Sequence, residues 1–92
     1  MKIEWNPLAR FDLLELTAYI AEDNADAAYR LLDEIESQAE LLRNMPQMGR
    51  PGRRRGTREL VIAGTAYVLA YRVERNRIEV LRVLHGARRW RL

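Results

Sequence analysis

Past a short N-terminal segment, the hydrophobic pattern of this chain changes character once, and that change limits the folds open to it. From Ala9 to about residue 43, apolar side chains recur every three or four positions, the spacing of an amphipathic helix. From Arg58 onward that spacing gives way to short segments dominated by Val, Ile, Leu and Tyr, as strands prefer. Asn6-Pro7 reads as an N-cap followed by proline at the first helical position. Ala9, Leu13, Leu16 and Ile20 then share a stripe, with Asp12, Glu15, Tyr19 and Glu22 on the opposite, acidic face. Asp23-Asn24 breaks this helix and can cap the next. Ala28, Leu31, Leu32, Ile35, Ala39 and Leu42 define a second helix from about residue 25 to about 43, ahead of Pro46. So short a joint predicts an antiparallel helical hairpin.

Lys2–Trp5 alternates polar and apolar residues and predicts a short first strand. Between Met45 and Gly56 the periodicity stops, and Pro46, Gly49, Pro51, Gly52 and Gly56 punctuate a loop. Three strands rich in Val, Ile, Leu and Tyr are expected at Arg58–Ala63, Tyr67–Glu74 and Arg77–His85, with Gly64-Thr65 turning the first. If Arg75-Asn76 is a two-residue loop, Glu74 faces Arg77 and Arg72 faces Glu79, two opposite-charge pairs on one face. On the other face Val73 meets Ile78 and Tyr71 meets Val80, so charge and hydrophobicity select the same register. The predicted fold is α+β, in the order β-α-α-β-β-β. A helical hairpin packs on a twisted, largely antiparallel sheet, in one domain over residues 1–92.

The charge is divided as sharply as the periodicity. Residues 1–49 carry four basic side chains against ten acids, and residues 50–92 carry twelve arginines against three acids. A net charge of +3 therefore hides halves near −6 and +9. Arginine grips phosphates and carboxylates with a planar fork, so the second half predicts a polyanionic target or an acidic partner. With no cysteine, disulfides, thiolate metal sites and thiol catalysis are excluded. One histidine and few carboxylates in the second half leave no metal-ligand spacing, and neither metal nor cofactor is expected. No apolar run approaches about 18 residues, so no membrane association is expected and a cytoplasmic location is the default.

Two segments carry the candidate chemistry. Arg50, Arg53, Arg54, Arg55 and Arg58 lie within nine residues, a density that repels itself unless an anion answers it. That anion is either phosphate on nucleic acid or an acidic partner protein. The second segment is Leu84-His85-Gly86-Ala87-Arg88-Arg89-Trp90-Arg91-Leu92. His85 suits proton transfer or a structural hydrogen bond, Arg88 can hold a phosphate, and Trp90 can stack on a base or fold onto the core. Arg82, inside an apolar strand with the parity of Ile78, Val80 and Leu84, must reach solvent, pair with an acid or wait for a ligand. Tyr67 and Tyr71 share the face opposite it. Glu59 is expected to form a structural ion pair rather than act as a base.

Taken in order, Gly49-Arg50-Pro51-Gly52, Gly56-Thr57-Arg58-Glu59-Leu60-Val61-Ile62, Tyr67-Val68-Leu69-Ala70-Tyr71-Arg72-Val73 and Ile78 to Trp90 resemble the RelE/ParE toxin superfamily. Trp5, Ala9, Asp12, Leu13 and Tyr19-Ile20-Ala21 fit as well, and the likeness covers nearly the whole chain. The resemblance implies a toxin of a bacterial type II toxin–antitoxin module, neutralised by a cognate antitoxin. It implies either poisoning of DNA gyrase without chemistry, as in ParE-like members, or cleavage of mRNA on the ribosome, as in RelE-like members.

The chain departs from the nuclease pattern. Val68 stands where that branch has an arginine, Glu59, Val61 and Ala63 replace its lysines, and Trp90 rather than tyrosine follows Arg88. Indole cannot exchange a proton in catalysis as phenol can. If the chain is a nuclease, His85, Arg88 and Arg82 are its catalytic candidates. Arg50, Arg53, Arg54, Arg55, Arg58, Arg72, Arg89, Trp90 and Arg91 are the candidates for binding target or antitoxin. The gyrase-binding, non-enzymatic alternative is favoured.

Overall fold

The computed structural model describes residues 1–87. Its elements are β1 (Lys2–Trp5), α1 (Pro7–Ala21), α2 (Ala25–Glu40), a 3-10 turn (Leu41–Arg43), β2 (Arg50–Pro51), β3 (Arg58–Val61), β4 (Tyr67–Glu74) and β5 (Arg77–His85). The five strands lie in the order β1-β5-β4-β3-β2. All neighbours are antiparallel except β1, which runs parallel to β5.

Local chemistry accounts for the boundaries. Asn6 Oδ1 accepts the Ala9 N–H at 3.0 Å to start α1, and Asn24 Oδ1 accepts the Ala27 N–H at 3.0 Å to start α2. Arg75-Asn76 turns β4 into β5 with Asn76 at φ 58°, a left-handed conformation that asparagine tolerates better than most residues. All four cross-strand pairs expected from the sequence are present, and Glu74 and Arg77 form an ion pair at 3.2 Å.

Both helices pack on one face of the sheet. Leu69, Tyr71, Ile78, Val80 and Val83 meet Ala9, Leu16, Ile35, Ala39 and Leu42 in a single core. Each large apolar side chain buried there contributes about 1.5–3 kcal/mol. Gln38 clips the helical layer to the β3–β4 turn: its amide donates to the Ala63 carbonyl at 3.1 Å and accepts the Ala63 N–H at 2.9 Å.

The structure corrects the sequence expectations in four places. The Met45–Gly56 loop contains β2, whose two residues pair with Arg58 and Glu59. The strand predicted over Arg58–Ala63 ends at Val61. Asp12, expected on an exposed face, is only 8% exposed. Finally, Tyr71 pairs with Val80 but Ala70 pairs with Arg82, so Leu81 is an extra residue in a β-bulge. The bulge breaks strict alternation, and the buried core series of β5 becomes Ile78, Val80, Val83.

Candidate functional site

Pairing β3 with β4 puts Leu60 opposite Leu69 in the core and Glu59 opposite Ala70 on the face away from the helices. There Glu59 is 2% exposed and organises the arginine loop. Its carboxylate meets Arg50 Nη2 at 3.2 Å and Arg53 Nε at 3.5 Å, and it accepts the Arg53 backbone N–H at 2.8 Å. Arg53 Nη2 also donates to the Gly86 carbonyl at 3.2 Å, tying the loop to the end of β5. A buried carboxylate is tolerable only with such partners. Glu59 thus forms the expected structural ion pair, and it answers part of the loop's positive charge from within the chain.

Arg58, of opposite parity, donates to the Gly49 carbonyl at 2.6 Å and the Gln47 carbonyl at 3.4 Å, holding the segment that leads into β2. Tyr71 holds the same segment. Its hydroxyl donates to the Pro46 carbonyl and accepts the Gly49 N–H, both at 2.8 Å. Burial raises the Tyr71 pKa above its ordinary value, against the opposing pull of the Gly49 N–H and the Arg58 charge. Gly49 has no room for a side chain, since an added Cβ would sit 2.7 Å from the Tyr71 ring and hydroxyl. The backbone then closes on itself, with the Gly52 N–H bonded to the Thr57 carbonyl at 2.8 Å and the Thr57 N–H to the Arg54 carbonyl at 3.1 Å. Arg54 and Arg55 lie exposed in this turn.

A second feature lies between α1 and the end of the β4–β5 hairpin. It is a groove of about 730 Å³ lined by Asp12, Glu15, Tyr19, Tyr67, Arg82 and His85, among others. At its base Asp12 accepts Arg82 Nε at 2.7 Å, Arg82 Nη2 at 2.9 Å and the Val83 N–H at 2.9 Å. This paired fork raises the already high Arg82 pKa, chiefly through the Asp12 hydrogen bond. The bulge at Leu81 and the Asp12 carboxylate meet at one point, so the irregular strand is pinned by the helix. Nearby, the Tyr67 and His85 rings stand edge to face, 5.7 Å apart at 77°. His85 Nδ1 accepts the Ala87 N–H at 3.2 Å.

The predicted residues therefore fall into separate groups. Arg50 and Arg53 stand over the outer face of the sheet, and Arg72 has the same parity as Ala70, which pairs with Glu59. Arg54 and Arg55 occupy the loop tip, and Arg58 binds the loop from the other side of β3. Arg82 and His85 share the groove near α1. Tyr67 also lines this groove, whereas Tyr71 is fully buried in the core. Arg88, Arg89, Trp90 and Arg91 lie outside the described residues. Sequence reasoning missed Asp12 as the partner of Arg82. The signal was present, since Asp12 falls between Ala9 and Leu16 at core-facing helical spacing. Among the described residues, no group of three His, Cys, Asp or Glu could hold a metal ion, and no helix is long and apolar enough to cross a membrane.

Comparison with known proteins gives these features a context. The family profile for the ParE toxin of the type II toxin–antitoxin system parDE matches residues 3–90. The Sinorhizobium fredii protein Y4kP, whose name marks it as a candidate toxin, is 40% identical over 89 residues, covering 97% of this chain and 92% of its own length. Toxin RelE3 of Caulobacter vibrioides is 35% identical over 89 residues, covering 95% of this chain and 96% of its own. Among solved structures, one described as the chromosomal ParDE TA system from P. aeruginosa superposes with a TM-score of 0.81 at 24% identity, over 90% of this chain and 92% of the other. The toxin–antitoxin complex RelBE2 of Mycobacterium tuberculosis gives a TM-score of 0.64 at 27% identity, over 91% and 95%. A profile that runs nearly end to end, together with relatives matched along almost their full lengths, places the chain in the ParE toxin family of type II toxin–antitoxin systems, within the RelE/ParE superfamily.

Proposed function

We propose that this chain inhibits growth by binding DNA gyrase rather than by cutting RNA, and that a cognate antitoxin neutralises it through the arginine-rich surface. The state of Arg82 carries this reading. RNA cleavage needs a base for the 2′-hydroxyl and a free cation for the crowded phosphate, and losing one such contact typically lowers the rate by about 10²–10³. Both donor edges of the Arg82 fork that bond Asp12 are occupied inside the molecule. Arg50, Arg53 and Arg58 likewise have intramolecular partners, so they shape a surface instead of converging on a scissile bond. The solved neighbours described as a ParDE TA system and a RelBE2 toxin–antitoxin complex support the antitoxin partner. Arg54 and Arg55 offer an acidic segment exposed charge.

A second mechanism, ribosome-dependent mRNA cleavage, draws on one observation. Tyr67 and His85, two groups able to exchange protons, touch at the edge of the groove. Induced expression separates the two. Gyrase-dependent DNA breaks that persist in His85→Ala support binding, whereas codon-phased mRNA ends abolished by His85→Ala would overturn it.

A further inference from the structure

Helix α1 is apolar on two sides. Ala9 and Leu16 face the core. The opposite side carries Pro7, Phe11, Leu14, Ala18 and Ala21, all exposed, with Phe11 at 56% and Leu14 at 69%. A helix with one buried stripe is ordinarily polar on its outer face. The spacing of this outer stripe is four, three, four, three, the alternation of a coiled-coil seam. Phe11 and Ala18 occupy one class of seam position, and Leu14 and Ala21 the other.

The borders of the seam specify what it fits. Arg10 precedes Phe11 on one border, and Glu15 follows Leu14 on the other. In a parallel pair of helices, the residue before the first seam position contacts the partner residue five places on. Arg10 of one copy therefore reaches Glu15 of the second, and two-fold symmetry repeats the pair. An antiparallel pair would instead bring the borders holding Glu15 and Glu22 together, setting like charges against each other. Among the described residues, no ion pair is recorded for Arg10 or Glu15.

We propose that this seam joins two copies of the chain through parallel α1 helices. The helix is already formed on its own domain, so association does not carry the nucleation cost of a free peptide. Two heptads make a small interface, below the roughly 1,200 Å² total of stable complexes, so the dimer is transient, with a dissociation constant on the order of micromolar or weaker. The proposal is independent of the toxic mechanism.

The absence of native cysteine makes the test direct, because a single introduced thiol can cross-link only to its counterpart. In the full 92-residue chain under mild oxidation, Ala18→Cys should form a covalent dimer at least about tenfold faster than Asp33→Cys, which sits on the exposed side of α2. Sedimentation equilibrium should show a concentration-dependent dimer that Leu14→Glu abolishes. Arg10→Glu or Glu15→Arg should weaken it several-fold, and the two together should restore it. Equal cross-linking rates, a dimer indifferent to Leu14→Glu, or failure of the charge swap to restore association would overturn the proposal. So would a chain that stays monomeric and shields position 18 only when a different protein is added.

Discussion

Replacing Tyr71 with Phe removes one oxygen and leaves the core ring in place, which makes it a clean probe of how the arginine loop is anchored. The hydroxyl serves two backbone groups, the Pro46 carbonyl and the Gly49 N–H, each at 2.8 Å. Gly49 is buried, so its N–H loses its partner with little access to water, at a cost of about 1–3 kcal/mol. Pro46 is half-buried and its carbonyl can reach water in part, adding about 0.5–1.5 kcal/mol. The expected loss is about 2–4 kcal/mol, a large share of a small domain's stability. At about 4–8 °C per kcal/mol for this size, thermal unfolding followed by circular dichroism should shift down by about 8–32 °C. The same variant should change the alkaline limb. Burial raises the folded-state pKa of Tyr71 above its ordinary 10.0, so the unfolded chain loses this proton first. The Tyr71 contribution is complete below about pH 10 and fades as pH rises through the folded value. Tyr71→Phe should therefore flatten the fall in stability above pH 10. A loss under about 0.5 kcal/mol, with an unchanged alkaline slope, would refute the anchoring role.

Asp12→Ala leaves the Arg82 guanidinium and the Val83 N–H without partners in a largely enclosed place, and should cost about 3–5 kcal/mol in urea unfolding. Gln38→Ala removes an exposed clip and should cost only about 0.5–1.5 kcal/mol, while speeding amide exchange at Ala63 markedly. Arg54→Glu with Arg55→Glu should leave stability within about ±0.5 kcal/mol, because both residues are exposed in the loop turn. The same pair of changes should weaken binding of an acidic antitoxin segment at least about tenfold. Binding by the native chain should weaken with added salt, since exposed charges are screened beyond about 10 Å at 0.1 M. Affinity indifferent to salt would remove the electrostatic basis proposed for neutralisation.

The sequence announces those parts of the fold that local chemistry decides. Asn6-Pro7 and Asn24 set the helix starts, and the charge pairs flanking Arg75-Asn76 fix the hairpin register, because turns and cross-strand neighbours act over a few residues. The parts that stayed hidden depend on distant partners. The bulge at Leu81 has no local composition signal, and it reverses the parity on which the placement of Arg82 rested. Asp12 looked like one more acid on an acidic helix until β5 supplied its partner, 70 residues away. The arginine loop was legible as a cluster, but its internal order was not. Only the β3–β4 pairing turns Glu59 under Arg50 and Arg53, and that pairing separates these two from Arg58 across the sheet.

The most direct discriminator is DNA cleavage by purified gyrase in the presence of the refolded chain, run beside His85→Ala. A toxin that works by binding gyrase should trap cleaved DNA equally well with and without His85. No trapping by the native chain, together with ribosome-bound mRNA cut in a manner that requires His85, would contradict it.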